Sequence, residues 1–253
     1  MTCQHRAVTP TVVERLRAAG CVFAEDEAAL LVEAGGGDLV DRRVAGEPLE
    51  HVLGWVAFAG LRLAVGPGVF VPRVRTELMA RIAVARRPRT LVELCCGVAP
   101  IAAAAEAALP DVATWVSDVD PVAISYAARN VRGTANVADL DSALPEILRG
   151  SVDVLACNAP YVPTQAIPHL PSEARDHEPA QALDGGPDGL DVIRRVVSRA
   201  TRWLAPGGAL LVEVADAQVA AATELFTLHG LAVEVESDDV THILIGVSTD
   251  EID

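Results

Sequence analysis

The tetrapeptide Asn158-Ala159-Pro160-Tyr161 directly follows the apolar run Val152-Asp153-Val154-Leu155-Ala156-Cys157. An Asn and an aromatic presented from the end of a buried strand form a pocket for a planar amide or amidine nitrogen. The carboxamide oxygen accepts hydrogen bonds, and the ring offers a stacking face. The competing reading is an Asn-containing turn stiffened by Pro160 and Pro163.

A second set of chemically capable residues lies upstream. Glu93-Leu94-Cys95-Cys96-Gly97-Val98-Ala99-Pro100 joins a short apolar strand to a helix; its small residues let a ligand approach the backbone, and Pro100 suits a first helical turn. Asp118 ends the next strand, 21 residues past Gly97, where a carboxylate accepts hydrogen bonds from both hydroxyls of a ribose. Asp120 serves instead as the cap of the helix entered at Pro121. Asp139, after Ala135-Asn136-Val137, is placed to meet an adenine amino group. No Gly-Lys-Ser/Thr phosphate loop is present and the first loop carries no basic residue, so a cofactor without phosphates fits better than a dinucleotide. S-adenosyl-L-methionine, with a ribose, an adenine and a sulfonium cation, suits an acid-lined pocket; its product would be S-adenosyl-L-homocysteine.

The elements that must hold these residues alternate from Thr90 onward. Thr90 to Leu94, Thr114 to Ser117, Val152 to Cys157 and Ala209 to Val214 read as short apolar strands. Helical stretches cover Ile101 to Ala108, Pro121 to Val131 and Gly189 to Leu204. Continuous apolar strands separated by helices predict a parallel sheet covered on both faces, a doubly wound α/β fold. Ala232 to Glu236 and His242 to Val247, after a helix over Ala217 to Leu228, are too close in sequence for a crossover and should pair antiparallel. Residues 1–50 read as a small cap with helices at Thr11 to Ala19 and Glu25 to Glu33, stopped by Gly35-Gly36-Gly37. Residues 51–71 read as a β-hairpin linker, and 72–253 as the main domain.

Composition excludes several classes. The 253 residues are 51% hydrophobic, enough for a substantial core, yet charges, Gly or Pro interrupt every long apolar run, and residues 1–6 form no apolar signal core. A soluble, cytoplasmic protein is expected. The five cysteines show neither zinc spacing nor the density of a disulfide scaffold, so no metal is expected, and Cys95, Cys96 and Cys157 read as small packing residues. A net charge of −15 should repel polyanions, which disfavours nucleic acid as substrate. The arginines at 73, 75, 81, 86, 87 and 89 read mainly as solvated helix faces.

Taken together, these motifs resemble the HemK/PrmC group of protein-(glutamine-N5) methyltransferases over nearly everything from Gly46 to Val247. The resemblance rests on Gly46-Glu47-Pro48-Leu49, on Gly66-Pro67-Gly68-Val69-Phe70-Val71-Pro72-Arg73 with Thr76-Glu77, and on Arg175-Asp176-His177-Glu178-Pro179. Ala182-Leu183-Asp184-Gly185-Gly186, Asp188-Gly189-Leu190, Pro206-Gly207-Gly208 and Glu213 extend it. It implies a seven-stranded, Rossmann-like class I methyltransferase sheet with an antiparallel last strand.

The resemblance also implies roles. Phe70, Pro72 and Arg73 would close over a cofactor lined by Glu93, Cys95, Gly97, Asp118, Asp139 and Asn158. Asn158 Oδ1 and the Ala159 carbonyl would accept the hydrogens of a substrate amide, with Pro160 beside them and the Tyr161 ring stacked on the amide plane. The partner would be a protein with an exposed glutamine, such as a release factor or ribosomal protein. A monomer is the default expectation, drawn from neither motif nor resemblance. Departures mark a divergent branch: Ala159 replaces the family's first Pro in Asn-Pro-Pro-Tyr. Cys95, Cys96, Val98 and Ala99 alter the Gly-Thr-Gly-Ser/Thr-Gly loop, Glu93 stands for its leading Asp, and Val74 and Arg75 stand for Pro and an acid. Two other functions stay open at this level: adenine-N6 methylation of nucleic acid on a flipped base, and a non-catalytic cofactor-binding scaffold.

Overall fold

Short helices gain most of their stability from packing an apolar face, and the N-terminal segment of this chain does so on itself. In the computed structural model, which describes residues 10–238 and 241–249, four helices share one small core: α1 (Pro10–Ala18), α2 (Ala24–Ala34), α3 (Asp38–Val44) and α4 (Leu49–Leu53). Cys3 and residues 1–6 lie outside the described residues. The first two helices match the sequence reading to within a residue or two. The other two were not read from it, and Leu49–Leu53 is helical where the alternating pattern suggested a hairpin arm. The hairpin follows, as β1 (Trp55–Phe58) and β2 (Leu61–Ala64), turned by Ala59 and Gly60 with φ of 48° and 77°. Among the arginines read as helix faces, α5 (Glu77–Ala85) buries Met79, Ala80, Ile82 and Ala83 on its other side.

The main sheet comprises β3 (Thr90–Leu94), β4 (Ala113–Asp118), β5 (Thr134–Val137), β6 (Val152–Cys157), β7 (Leu204–Val214), β8 (Leu231–Ser237) and β9 (His242–Ser248). Their order is β5-β4-β3-β6-β7-β9-β8, with β9 antiparallel to both of its neighbours. Helices α6 (Pro100–Ala108), α7 (Pro121–Asn130), α8 (Ser172–His177), α9 (Asp191–Ala200) and α10 (Val219–Leu228) complete the chain. Side chains from alternate positions of β3 and β6 enter two separate cores, one per face, which is why these strands are apolar throughout. Chain order reverses between β3 and β6, so the strand ends carrying Glu93 and Asn158 flank the switch point where ligands bind in such sheets.

Two local devices shape that end of the sheet. In the β3–α6 loop, Cys95, Gly97 and Ala99 all have positive φ, at 49°, 54° and 60°, so the alternation that glycines normally supply persists with only one glycine. Left-handed backbone costs a non-glycine residue on the order of 1 kcal/mol. Below β6, Gly185 and Gly189 let the following loop touch the tetrapeptide: a Cβ at Gly189 would lie 2.2 Å from the Tyr161 carbonyl, and one at Gly185 2.7 Å from that of Pro160.

The loop geometry predicts an asymmetric response at Cys95. Cys95→Gly should stay within about 1 kcal/mol of the parent, whereas Cys95→Val, close in volume but β-branched, should lose about 2 kcal/mol or more in urea unfolding. Equal stability of the two variants would contradict the left-handed assignment.

Candidate active site

Phe70, Pro72, Arg73, Glu93, Cys95, Gly97, Asp118, Asp139, Asn158, Ala159, Pro160 and Tyr161 all line one cavity of about 450 Å³ at the carboxyl ends of β3, β4 and β6. The residues singled out from sequence therefore meet in space. Asp118 accepts hydrogen bonds from the backbone amides of Gly97 (2.8 Å) and Asp120 (2.9 Å), one on each oxygen. Burial pushes its carboxyl up, against the pull of those amides. A carboxylate offers about four acceptor positions, so the backbone amides do not exhaust Asp118, which lines the cavity. Asp120 caps α7 through the Val122 amide at 2.8 Å, as expected.

Glu93 is only 2% exposed. It accepts from the amides of Ile101 and Ala102 at the start of α6, yet burial pushes its pKa up to about 8. Asp139 is held by Arg195 at 2.6 Å, a partner that sequence separation concealed; Arg195 also lines the cavity. Burial raises the Cys96 thiol well above its ordinary range, and a hydrogen bond with Cys95 together with burial does the same for Cys157. Both are therefore thiols rather than reactive thiolates.

The tetrapeptide is pinned from behind. Val162 donates to Leu183 O and accepts from Gly185 N, while Gln218 Nε2 donates to the carbonyls of Tyr161 (2.9 Å) and Asp188 (3.0 Å). Asn158 Nδ2 donates to Thr76 Oγ1 at 3.3 Å, and Thr76 donates to Glu213 Oε2 at 2.8 Å. Glu213 Oε1 accepts from the Tyr161 hydroxyl at 2.9 Å and from Arg75 Nε at 3.2 Å, and Arg75 Nη2 donates to the Tyr161 oxygen at 2.9 Å. Burial, with Glu213 beside it, pushes the Tyr161 phenol up to about 12, so it stays protonated. Among the described residues, no donor reaches Asn158 Oδ1 or the Ala159 carbonyl. Two acceptors at the cavity wall are thus left for a ligand bearing two N–H hydrogens, beside an aromatic ring.

Sequence reasoning missed the weight of Thr76, Arg75 and Glu213. The signal available was an acid inside the apolar run Leu210-Leu211-Val212-Glu213-Val214, since an ionisable group in a buried strand requires partners. Arg75, grouped above with solvated helix faces, instead lines the cavity, as does Arg73, which the resemblance sets over a cofactor. The opposite wall is latched by ion pairs: Arg73 stacks on Phe70 at 4.7 Å and binds Glu178 at 2.6 Å, while Arg43, paired with Glu27 in the cap, reaches Glu173 at 2.6 Å.

No protein-family model matches the chain. Solved structures agree on fold: the catalytic domain of hMettl16 superposes with a TM-score of 0.60 at 14% identity, covering 89% of this chain and 83% of that one. A ribosomal protein L11 methylase from Lactobacillus delbrueckii subsp. bulgaricus gives 0.52 at 12% identity, over 73% of this chain and 83% of that one. A 4-amino-L-phenylalanine/4-methylamino-L-phenylalanine methyltransferase of Streptomyces pristinaespiralis is 37% identical over 203 residues, covering 76% of this chain and 69% of that protein. The release factor glutamine methyltransferase of Mycolicibacterium smegmatis is 41% identical over 204 residues, 78% of this chain and 72% of its own. That of Corynebacterium glutamicum is 35% identical over 226 residues, 85% and 79%. With this identity over most of both chains, and with the tetrapeptide and the β3–α6 loop lining one cavity, the chain belongs to the release factor glutamine methyltransferase family.

Proposed function

We propose that this protein transfers a methyl group from S-adenosyl-L-methionine to the side-chain amide nitrogen of a glutamine in a translation protein. The observation that carries the reading is the pair of unpartnered acceptors, Asn158 Oδ1 and the Ala159 carbonyl, beside the Tyr161 ring. The cofactor is supported by the acid-lined cavity: Asp118, with acceptor capacity beyond its backbone amides, suits a diol, and Glu93 adds a second carboxyl. When bound, it supplies an electrophilic methyl group on a sulfonium. Among the described residues no helix is long and apolar enough to cross a membrane. We place the enzyme in the cytoplasm, where a translation protein would be its substrate, and take it as a monomer.

An amide nitrogen is a poor nucleophile because its lone pair is delocalised into the carbonyl. In this reading, Asn158 and Ala159 bind the two N–H hydrogens and stabilise the positive charge that develops on nitrogen, while Tyr161 holds the amide plane. Replacement of the family's proline by Ala159 retains the carbonyl that does this work. No general base is needed beforehand, since the methylated nitrogen is acidic enough to lose its proton to water. Nucleic acid remains disfavoured by the charge of −15. A second reading, methylation of the amino group of a free amino acid, is favoured by the relative from Streptomyces pristinaespiralis and by Arg75 at the cavity wall, a cation suited to an α-carboxylate.

Incubation with methyl-labelled S-adenosyl-L-methionine and a peptide carrying Gly-Gly-Gln should place label on the glutamine, and Asn158→Ala should lower turnover by about 10²–10³-fold. Label only in nucleic acid, only on 4-amino-L-phenylalanine, or undiminished in Asn158→Ala would refute it. Glu93 adds a pH signature. As pH rises through about 8 its carboxyl ionises, so preference for the cationic cofactor over its neutral thioether product should climb more steeply than in Glu93→Gln, read by calorimetry. Parallel slopes in the two proteins would contradict it.

A further inference from the structure

We infer that Glu213 is a positioning residue that sets, through the hydroxyl of Thr76, which end of the Asn158 carboxamide faces the acceptor. The inference rests on the acceptor role proposed above for Asn158. Asn158 itself is symmetric in shape: its oxygen and nitrogen ends occupy nearly the same space, and only hydrogen-bond chemistry distinguishes them. Methyl transfer to an N–H₂ group needs the oxygen end, because the nitrogen end would offer donors to donors.

The chain of bonds resolves the ambiguity by proton counting. Glu213 lies at the end of β7 with no exposed surface and is paired with Arg75, so its oxygens accept. Thr76 is 1% exposed, and its hydroxyl has a single proton, which it gives to Glu213 Oε2 at 2.8 Å. Only lone pairs of Thr76 Oγ1 then remain for Asn158, 3.3 Å away, and only an N–H donor can meet them. Flipping the carboxamide would set oxygen against oxygen and lose that bond. Oδ1 is therefore held away from Thr76, where no protein donor competes for it. The other oxygen of the same carboxylate accepts from the Tyr161 hydroxyl, so one buried group orients both the acceptor and the stacking ring.

The relay predicts a split that packing alone would not produce. Thr76→Val keeps the volume and removes the hydroxyl; turnover of the Gly-Gly-Gln peptide should fall about 10-fold with KM for peptide and cofactor within about 2-fold. Thr76→Ser should restore turnover to within about 3-fold of the parent. Glu213→Gln, able to donate as well as accept, should resemble Thr76→Val, and the double variant should be no worse than either single one.

A second readout needs no turnover. In protein with ¹⁵N-labelled asparagine, one of the two Asn158 side-chain proton resonances, assigned by their loss in Asn158→Ala, should be displaced downfield of its ordinary carboxamide position in the parent and in Thr76→Ser, and should return towards that position in Thr76→Val. Parent-like turnover or resonances in Thr76→Val, or a Thr76→Ser defect as deep as that of Thr76→Val, would overturn the relay. Full activity of Asn158→Ala would instead overturn the acceptor reading beneath it.

Discussion

A carboxylate with no exposed surface at the end of an apolar strand is tolerable only if its lone pairs are filled, since an unpaired buried charge costs several kcal/mol. Glu213 meets that requirement with Thr76 and Arg75 from the segment before α5 and with Tyr161 from the loop after β6. These partners are separated from it by 137, 138 and 52 positions. Satisfying one charge therefore draws the segment before α5 and the tetrapeptide onto the same sheet end. The geometry of this corner follows from a desolvation constraint, and in the proposed chemistry the orientation of the Asn158 carboxamide is its by-product.

The same economy explains why so altered a branch keeps its shape. Cys95 and Ala99 stand where the family pattern has glycine, yet both hold the left-handed conformation that the loop requires. What the loop needs there is a backbone path close to a ligand, and a small side chain yields it at modest strain. Ala159 likewise gives up the fixed φ of proline but not the carbonyl, and Gln218, Gly185 and Gly189 restrain the adjacent backbone by contact instead. In the proposed chemistry the Ala159 carbonyl, a backbone atom, does the work, and side-chain identity at that position can drift.

Much of the framework was legible in the sequence because it is written in local hydropathy. β3 and β6 begin and end where their apolar runs do, and Asp120-Pro121 marks the start of α7. Elements that escaped notice lack such a run. β5, an edge strand reading Thr-Ala-Asn-Val with no fully buried residue, carries no apolar signature, and α3 and α4 are only seven and five residues long. α5 begins within a run of arginines that masked its buried face. β7 starts five residues before the strand inferred from Ala209, because Pro206-Gly207-Gly208 imitates a turn. The individual site residues were visible as motif members, but the partners of Asp139 and Asn158 come from 56 and 82 positions away, and no local pattern encodes such pairings.

In the proposed reaction Asn158 Oδ1 and the Ala159 carbonyl grip a primary amide. A crystal structure with S-adenosyl-L-homocysteine and a Gly-Gly-Gln peptide tests it most directly. The glutamine nitrogen should lie about 3 Å from both Asn158 Oδ1 and the Ala159 carbonyl, with the amide plane against the Tyr161 ring. A glutamine bound elsewhere, or an Asn158 turned so that Nδ2 faces the substrate, would contradict it.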